Sequence, residues 1–596
     1  MDTVRGQRWL LTLALPLGLL ASSVSNAAAA RQIELPQLDI PYTKHVLANG
    51  LTLLVHEDHK TAQVSVDINY RVGTGDEPPG VTGISHLFEH LMFRGSEHHD
   101  HDMFDALLPL GASAGTVNGM AYVDRTHYFE TVASGALDAI LWLESDRMGY
   151  LLGAIDQAKL DEQRGVVHNE RRSIENTPWH KIGTNPYGRN AARLLQAIWP
   201  PGHPYSHLYI GTEEDLDSVT LDGVKQWFRK WYTPSNAVLV LSGDVTAAEA
   251  KSKVERYFGA LPPGMSTTRV NRWSEPMPGN RRDVAYDSEL ATAALARVWS
   301  IPNAGLGAAD ADYLELLAAI LSQPSSRLSQ RLIVEQKLAN EFAIDVRKNE
   351  IGSQVTLRLT AMPGIDLARV ERLLEEELAR MLKEGPSADE LQAARMSKLA
   401  EMVSSIQSTS AKAHLLGKYE LFLGNADAWK ISFERLKNAK PGDLAAAGQR
   451  WLQKGNYTLV MLPRAQLAAA SHDVDRKAGM PAVNFAEVQP PKFERTALSN
   501  GAQVLFAQRQ DAPEVTVNLL IPIAASGAQQ AFPVGIETLV MDLSLAGTDK
   551  LTGTQLSQAL GKLGASLKVS ADADSVQLSL KTLSTSFPEA MTLFAD

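Results

Sequence analysis

Gly83-Ile84-Ser85-His86-Leu87-Phe88-Glu89-His90-Leu91-Met92-Phe93 is the stretch on which the fold and the chemistry both turn. Its apolar spacing predicts a helix over 83–93, and residues four apart on a helix lie on one face, a turn apart. His86 and His90 can therefore reach a single ion at the roughly 2.0–2.1 Å of a zinc–nitrogen bond. Glu89, on the same face, can stand beside the open coordination position and take a proton from bound water. Ile84, Leu87, Phe88, Leu91, Met92 and Phe93 make the remainder of the helix greasy. Three polar side chains on such a helix are costly unless a partner satisfies them, and a metal supplies one. A buried histidine pair with a structural role is the plainer alternative.

A hydrolytic zinc site needs a third protein ligand and one vacant vertex. The best run for that ligand is Glu162-Gln163-Arg164-Gly165-Val166-Val167-His168-Asn169-Glu170-Arg171-Arg172, within a predicted helix over 157–174. Gln163, Val167, Glu170 and Ile174 line one face of it, so Glu170 projects from a partly apolar stripe. Glu162, His168 and Glu175 compete, and most acidic residues on helices are merely solvated. Residue types alone leave the choice open.

Working outward, strands are expected at 51–56, 63–71, 124–131 and 237–242, from β-branched residues in polar alternation or in short apolar runs. Helices are expected at 103–110 and 137–148. Strands in runs with helices between them indicate an α+β sandwich with helices on one sheet face. Pro262, Pro263, Pro276 and Pro278 make 261–282 a breaker-rich junction. Further on, the chain starts again. Leu47-Ala48-Asn49-Gly50 is echoed by Leu498-Ser499-Asn500-Gly501, Gly83-Ile84 by Gly535-Ile536, and Gly111-Ala112-Ser113 by Gly564-Ala565-Ser566. Three anchors in order, nearly equally spaced, point to duplicated domains.

These motifs together resemble the pitrilysin/insulysin family of inverted-motif zinc metallopeptidases, which includes the mitochondrial processing peptidases. The resemblance rests on His86-x-x-Glu89-His90 and on Glu170 in its Val-Val-His-Asn-Glu-Arg run. It extends to Asn118-Gly119-Met120-Ala121-Tyr122-Val123-Asp124-Arg125-Thr126-His127-Tyr128, His203-Pro204-Tyr205, Tyr232-x-Pro234-x-Asn236 and Ser325-Ser326-Arg327-Leu328. It implies duplicated α+β domains, each a mainly antiparallel sheet with helices on one face. It also implies Glu170 as the third ligand, one Zn2+ per chain, and Glu89 as the base. Asn118 and the strand running to Ala121 would hold the substrate backbone by strand addition.

The chain is expected to divide into a signal segment (1–30), a catalytic domain (31–265), a non-catalytic second domain (266–465), a linker (466–492) and a partial third domain (493–596). There are departures. Gln163 stands seven positions before Glu170, where the family often has a supporting glutamate; an amide keeps the hydrogen bond but not the charge. In the second repeat Thr538, Met541 and Asp542 align with His86, Glu89 and His90, so that copy cannot build the same centre. Family members also bring an arginine and a tyrosine to the reacting carbonyl from a partner or later domain. The corresponding run here, 332–340, has Ile333 and Asn340, so the chain is expected to be a fragment of a longer four-domain protein, or to need a partner chain.

Composition narrows the setting. Arg5 and Arg8, the apolar run 10–21 and the alanines to Ala30 read as a secretory signal, too short to span a bilayer, which takes about 20 apolar residues. With 0 cysteines, disulfides, thiolate metal sites and a cysteine nucleophile are excluded. A net charge of −11 argues against general binding to nucleic acid or anionic lipid. No glycine-rich phosphate loop with a following lysine appears. The run His98-His99-Asp100-His101-Asp102 is tempting as a second metal site, but consecutive residues converge poorly on one ion, and a solvated loop is expected. The overall expectation is a periplasmic or secreted endopeptidase for peptides or small unfolded proteins. A catalytic half awaiting its complement and a non-enzymatic peptide-binding protein are the alternatives.

Overall fold

Six strands form the first sheet: β1 (Thr43–Val46), β2 (Thr52–Glu57), β3 (Gln63–Tyr70), β4 (Val117–Ala121), β5 (Thr126–Ala133) and β6 (Ala237–Gly243). Their order is β1-β2-β6-β3-β5-β4, with β2 and β6 parallel and the other neighbours antiparallel. The computed structural model describes residues 38–113, 115–176, 190–265, 275–287, 290–463, 493–507, 513–522, 543, 545–571 and 575–596. The expected signal segment, the linker and positions 538, 541 and 542 lie outside the described residues.

The second sheet repeats the plan. β7 (Arg281–Asp287), β8 (Ala294–Pro302), β9 (Ala339–Lys348), β10 (Gly352–Ala361) and β11 (Tyr457–Pro463) run in the order β7-β11-β8-β10-β9, and β7 and β11 are again parallel. Strand for strand this is β2-β6-β3-β5-β4. A third group follows: β12 (Glu494–Ala497) pairs β13 (Gln503–Phe506). Then β14 (Glu514–Pro522), β15 (Ser566–Ala571) and β16 (Ser575–Leu583) run in the order β14-β16-β15, matching β3-β5-β4. The repeat extends to turn geometry. Gly50 and Gly501 sit at φ +87° and +86°, and their amides donate to Leu47 O and Leu498 O, both at 2.9 Å. Only glycine takes that backbone without strain.

β3 explains how the first two units meet. Val64, Val66, Ile68 and Tyr70 enter a core with Leu87, Phe88, Ile140, Phe228 and Phe258 from the sheet's own helices. Ser65, Asp67 and Asn69 point the other way, and they too are buried. The helix Thr409–Leu423 from the second unit covers them: Ser65 Oγ lies 2.8 Å from Thr409 Oγ1, and Asp67 bonds His414. The polar alternation of this strand therefore marks an interface rather than a wet face. Among the described residues no helix is long and apolar enough to cross a membrane.

Candidate functional site

The helix Ile84–Leu91 is anchored at its start by a carboxylate from outside it. Glu77 Oε2 accepts from Gly83 N at 2.8 Å and Oε1 from Ser85 N at 2.9 Å, meeting amides that a helix leaves orphaned. His207 Nε2, 3.0 Å from Glu77 Oε2, holds that carboxylate. Ile84, Leu87, Phe88 and Leu91 then bury the apolar side of the helix and fix its rotation.

That rotation turns both imidazoles towards Glu170 on the neighbouring helix Gln157–Asn176, whose stripe Leu160, Gln163, Val167 and Ile174 is buried. His86 Nε2 and His90 Nε2 each lie 3.5 Å from Glu170 Oε2. Three ligand atoms bonded to one tetrahedral ion at about 2.0–2.1 Å stand roughly 3.3–3.4 Å apart, so the spacing fits. Two imidazoles and one carboxylate are also a donor set typical of hydrolytic zinc, with the fourth position left open. Burial lowers the His86 pKa to about 4, leaving its ring neutral with a free lone pair near neutral pH. His86 Nδ1 has no hydrogen-bond partner among the described residues; the ring is held edge-on against Tyr209, with centroids 5.1 Å apart.

Glu89 sits against the edge strand of the sheet. Its Oε2 accepts from Ala121 N at 2.9 Å, and burial pushes its pKa up to about 7. A Cβ at Gly119 would lie 2.9 Å from Glu89 Oε1 and 2.9 Å from the Phe93 ring, so only glycine lets the strand come this close. Asn118 is exposed on the same strand, its Oδ1 accepting from Gly119 N at 2.9 Å. The Ala121 amide is thus committed to Glu89.

Gln163 is buried beside His90. With its carbonyl turned to Arg94 it accepts from Nε at 2.8 Å and Nη2 at 3.2 Å. The rival ligands are occupied elsewhere. Glu162 lies 3.9 Å from Arg94, His168 faces Asp217 at 3.0 Å, and Glu175 accepts from Arg171 at 2.7 Å. The run 98–102 also disperses: His98 bonds Asp146, Asp100 bonds Lys159, and Asp102 caps the helix Met103–Leu107 while pairing Arg94.

Several contributors are absent from any motif. Tyr209 stands near Glu170; burial raises that carboxyl's pKa, but His90, His86 and, more weakly, Tyr209 hold it below its usual range. Glu77 and His207 lie 130 positions apart, and no local pattern links them. A second cluster with metal-like spacing, Asp67, His127 and His414, joins the two units. Asp67 is ionised there: burial opposes its charge, yet the two histidines hold its pKa far below the ordinary carboxylate range.

The triad, β4 and the second unit enclose a cleft of about 820 Å³, to which the second unit contributes Arg347, Lys418 and Phe422 among others. Neither Ile333 nor Asn340 lines it.

The family model for Insulinase (Peptidase family M16) matches residues 52–193, and that for the Peptidase M16 inactive domain matches 218–398. The zinc protease PqqE of Helicobacter pylori is 25% identical over 430 residues, covering 70% of this chain and 91% of its own. An uncharacterized zinc protease of Bacillus subtilis, YmxG, is 22% identical, covering 64% of this chain and 88% of its own. The solved periplasmic protease PqqL of Escherichia coli superposes with a TM-score of 0.59 at 18% identity, over 94% of this chain and 66% of that one.

Proposed function

Because the chain belongs to the M16 (insulinase) family of peptidases, we propose that it is a zinc-dependent endopeptidase for peptides or small unfolded proteins. His86, His90 and Glu170 hold the metal, and Glu89 moves the proton. The observation that carries this reading is the convergence of two imidazoles from one helix and a carboxylate from another on a point beside Glu89. Zinc bound there supplies Lewis acidity, polarising a peptide carbonyl and lowering the pKa of a water towards about 7. Glu89 takes a proton at Oε1, the oxygen that Ala121 leaves free, and returns it to the leaving amine. The outer edge of β4, from Asn118 to Ala121, takes the substrate as an added strand through the backbone groups that Glu89 and Asn118 do not occupy, which reads peptide shape more than sequence. The test is cleavage of quenched peptides by the purified chain. Loss of cleavage with a chelator and return with zinc are expected; a zinc-loaded protein that cleaves nothing would end the proposal.

Two substitutions probe the supports. Gly119→Ala drives a methyl into Glu89 and Phe93, so turnover falls by up to about 10²-fold while zinc content stays. Gln163→Ala removes the amide between His90 and Arg94, and zinc affinity falls about 10–100-fold in a competition titration. Wild-type values in either case would remove that residue from the account.

Residues 266–465 serve as a non-catalytic second domain that closes the cleft, and 493–596 as part of a third. The leader at 1–30 directs the chain to the periplasm or beyond. A second reading, a catalytic half completed by further chain, is favoured by one observation: the side chains of Ile333 and Asn340 are absent from the cleft lining. On that reading the isolated chain binds zinc and peptide but turns over only when mixed with the complementary half.

A further inference from the structure

The cleft holds positive charge that the hydrolytic reaction does not use. Lys418, on the helix Thr409–Leu423, reaches the cleft wall, and its ammonium makes no ion pair or hydrogen bond among the described residues. Burial, and then the charges of Arg125 and Lys348, lower its pKa to about 8. Arg125, in the turn between β4 and β5, is buried in the same wall. Its guanidinium donates to Asn69 Oδ1 at 2.7 Å and lies 5.1 Å from the centre of the Tyr122 ring, with no carboxylate in contact. The carboxylate that acts on it, Asp67, is already bonded to His127, Asn69 and His414. Arg347, exposed on β9, also faces the cleft without an ion pair among the described residues, near enough to Tyr209 to act on its hydroxyl.

The neighbouring Lys348 gives the contrast. It is paired with Asp312 at 3.0 Å and Glu315 at 2.6 Å, so this fold supplies carboxylates where a cation serves only structure. A buried charge without a partner is costly unless an anion arrives to meet it, which bears on Arg125 and Lys418. We propose that Arg125, Lys418 and Arg347 form an anion subsite that takes a carboxylate of the bound peptide, either an acidic side chain or the C-terminal carboxylate. This rests on the peptidase reading and adds a substrate class to it. The two guanidinium forks can grip a carboxylate side-on while the ammonium acts as a point charge. The subsite lies in the same cleft as β4, so one extended peptide can engage both.

The test uses two measurements on the full chain. Fluorescence anisotropy reads the Kd of labelled peptides on zinc-loaded Glu89→Gln protein, with glutamate or glutamine scanned through each position and the C-terminus free or amidated. Quenched versions of the same peptides read kcat/KM on the wild type. A preference of about 10-fold is expected, either for glutamate at one position or for the free acid over the amide, and the pattern tells the two sources apart. Lys418→Met should carry that ratio towards one, and Lys418→Glu should invert it in favour of a lysine-bearing peptide, with thermal melts establishing that both variants fold. Equal Kd values within about two-fold for all peptides, or a preference that survives both folded variants, would overturn the subsite. Charge-selective binding without any cleavage would sink the peptidase reading and leave the subsite standing; cleavage without charge preference would do the reverse.

Discussion

Glu89→Gln is expected to retain zinc at the wild-type level and to lose about 10²–10⁴-fold in turnover, the range a positioned general base contributes. The substitution is nearly isosteric. A glutamine carbonyl can still accept from Ala121 N, so the side chain keeps its seat between the strand edge and the histidines. It cannot take a proton. Elemental analysis and kcat on one quenched peptide, measured on the same preparation, separate the two consequences. A variant that keeps zinc and stays within about ten-fold of the wild-type rate would remove Glu89 from the reaction.

Glu170→Ala should do the opposite to the metal. The two imidazoles come from a single helix, and without Glu170 the second helix contributes no ligand to them. Zinc affinity is expected to fall by more than the 10–100-fold typical of losing an outer-shell partner, and cleavage should disappear with it. Excess zinc should restore part of the activity, because Glu89 and the β4 edge remain in place. Competition with a chromogenic chelator measures the change. Unchanged affinity would mean that the carboxylate 3.5 Å from both rings is only a hydrogen-bond acceptor.

Much of this centre was legible in the sequence because its parts are local. The His86–His90 spacing, Glu89 between them and the apolar residues around them belong to one short helix, and helical periodicity alone brings them together. The strands at 63–71 and 237–242 and the helix over 157–174 were readable for the same reason. Their counterparts are β3, β6 and the helix Gln157–Asn176. Long-range pairings left no such trace. Glu77 reaches the first amides of the helix Ile84–Leu91 by a turn of chain rather than by a capping motif, and Tyr209 stands near Glu170 from a loop. Ser65, Asp67 and Asn69 alternate with Val64, Val66 and Ile68 as an amphipathic surface strand does. Their burial depends on a helix more than 330 residues further along the chain, which no period-two pattern can announce. The committed Ala121 amide is a similar case: strand addition foresees a free edge, and only the fold shows that one of its donors already serves Glu89.

The most direct measurement is an anomalous difference map from crystals of the zinc-loaded protein, collected on either side of the zinc absorption edge. One strong peak is expected, bonded to His86 Nε2, His90 Nε2 and a Glu170 oxygen, with the Glu89 carboxylate beside it but unbonded. A peak between Asp67, His127 and His414 with none at the first triad would contradict it, as would a zinc ligated by Glu89 itself.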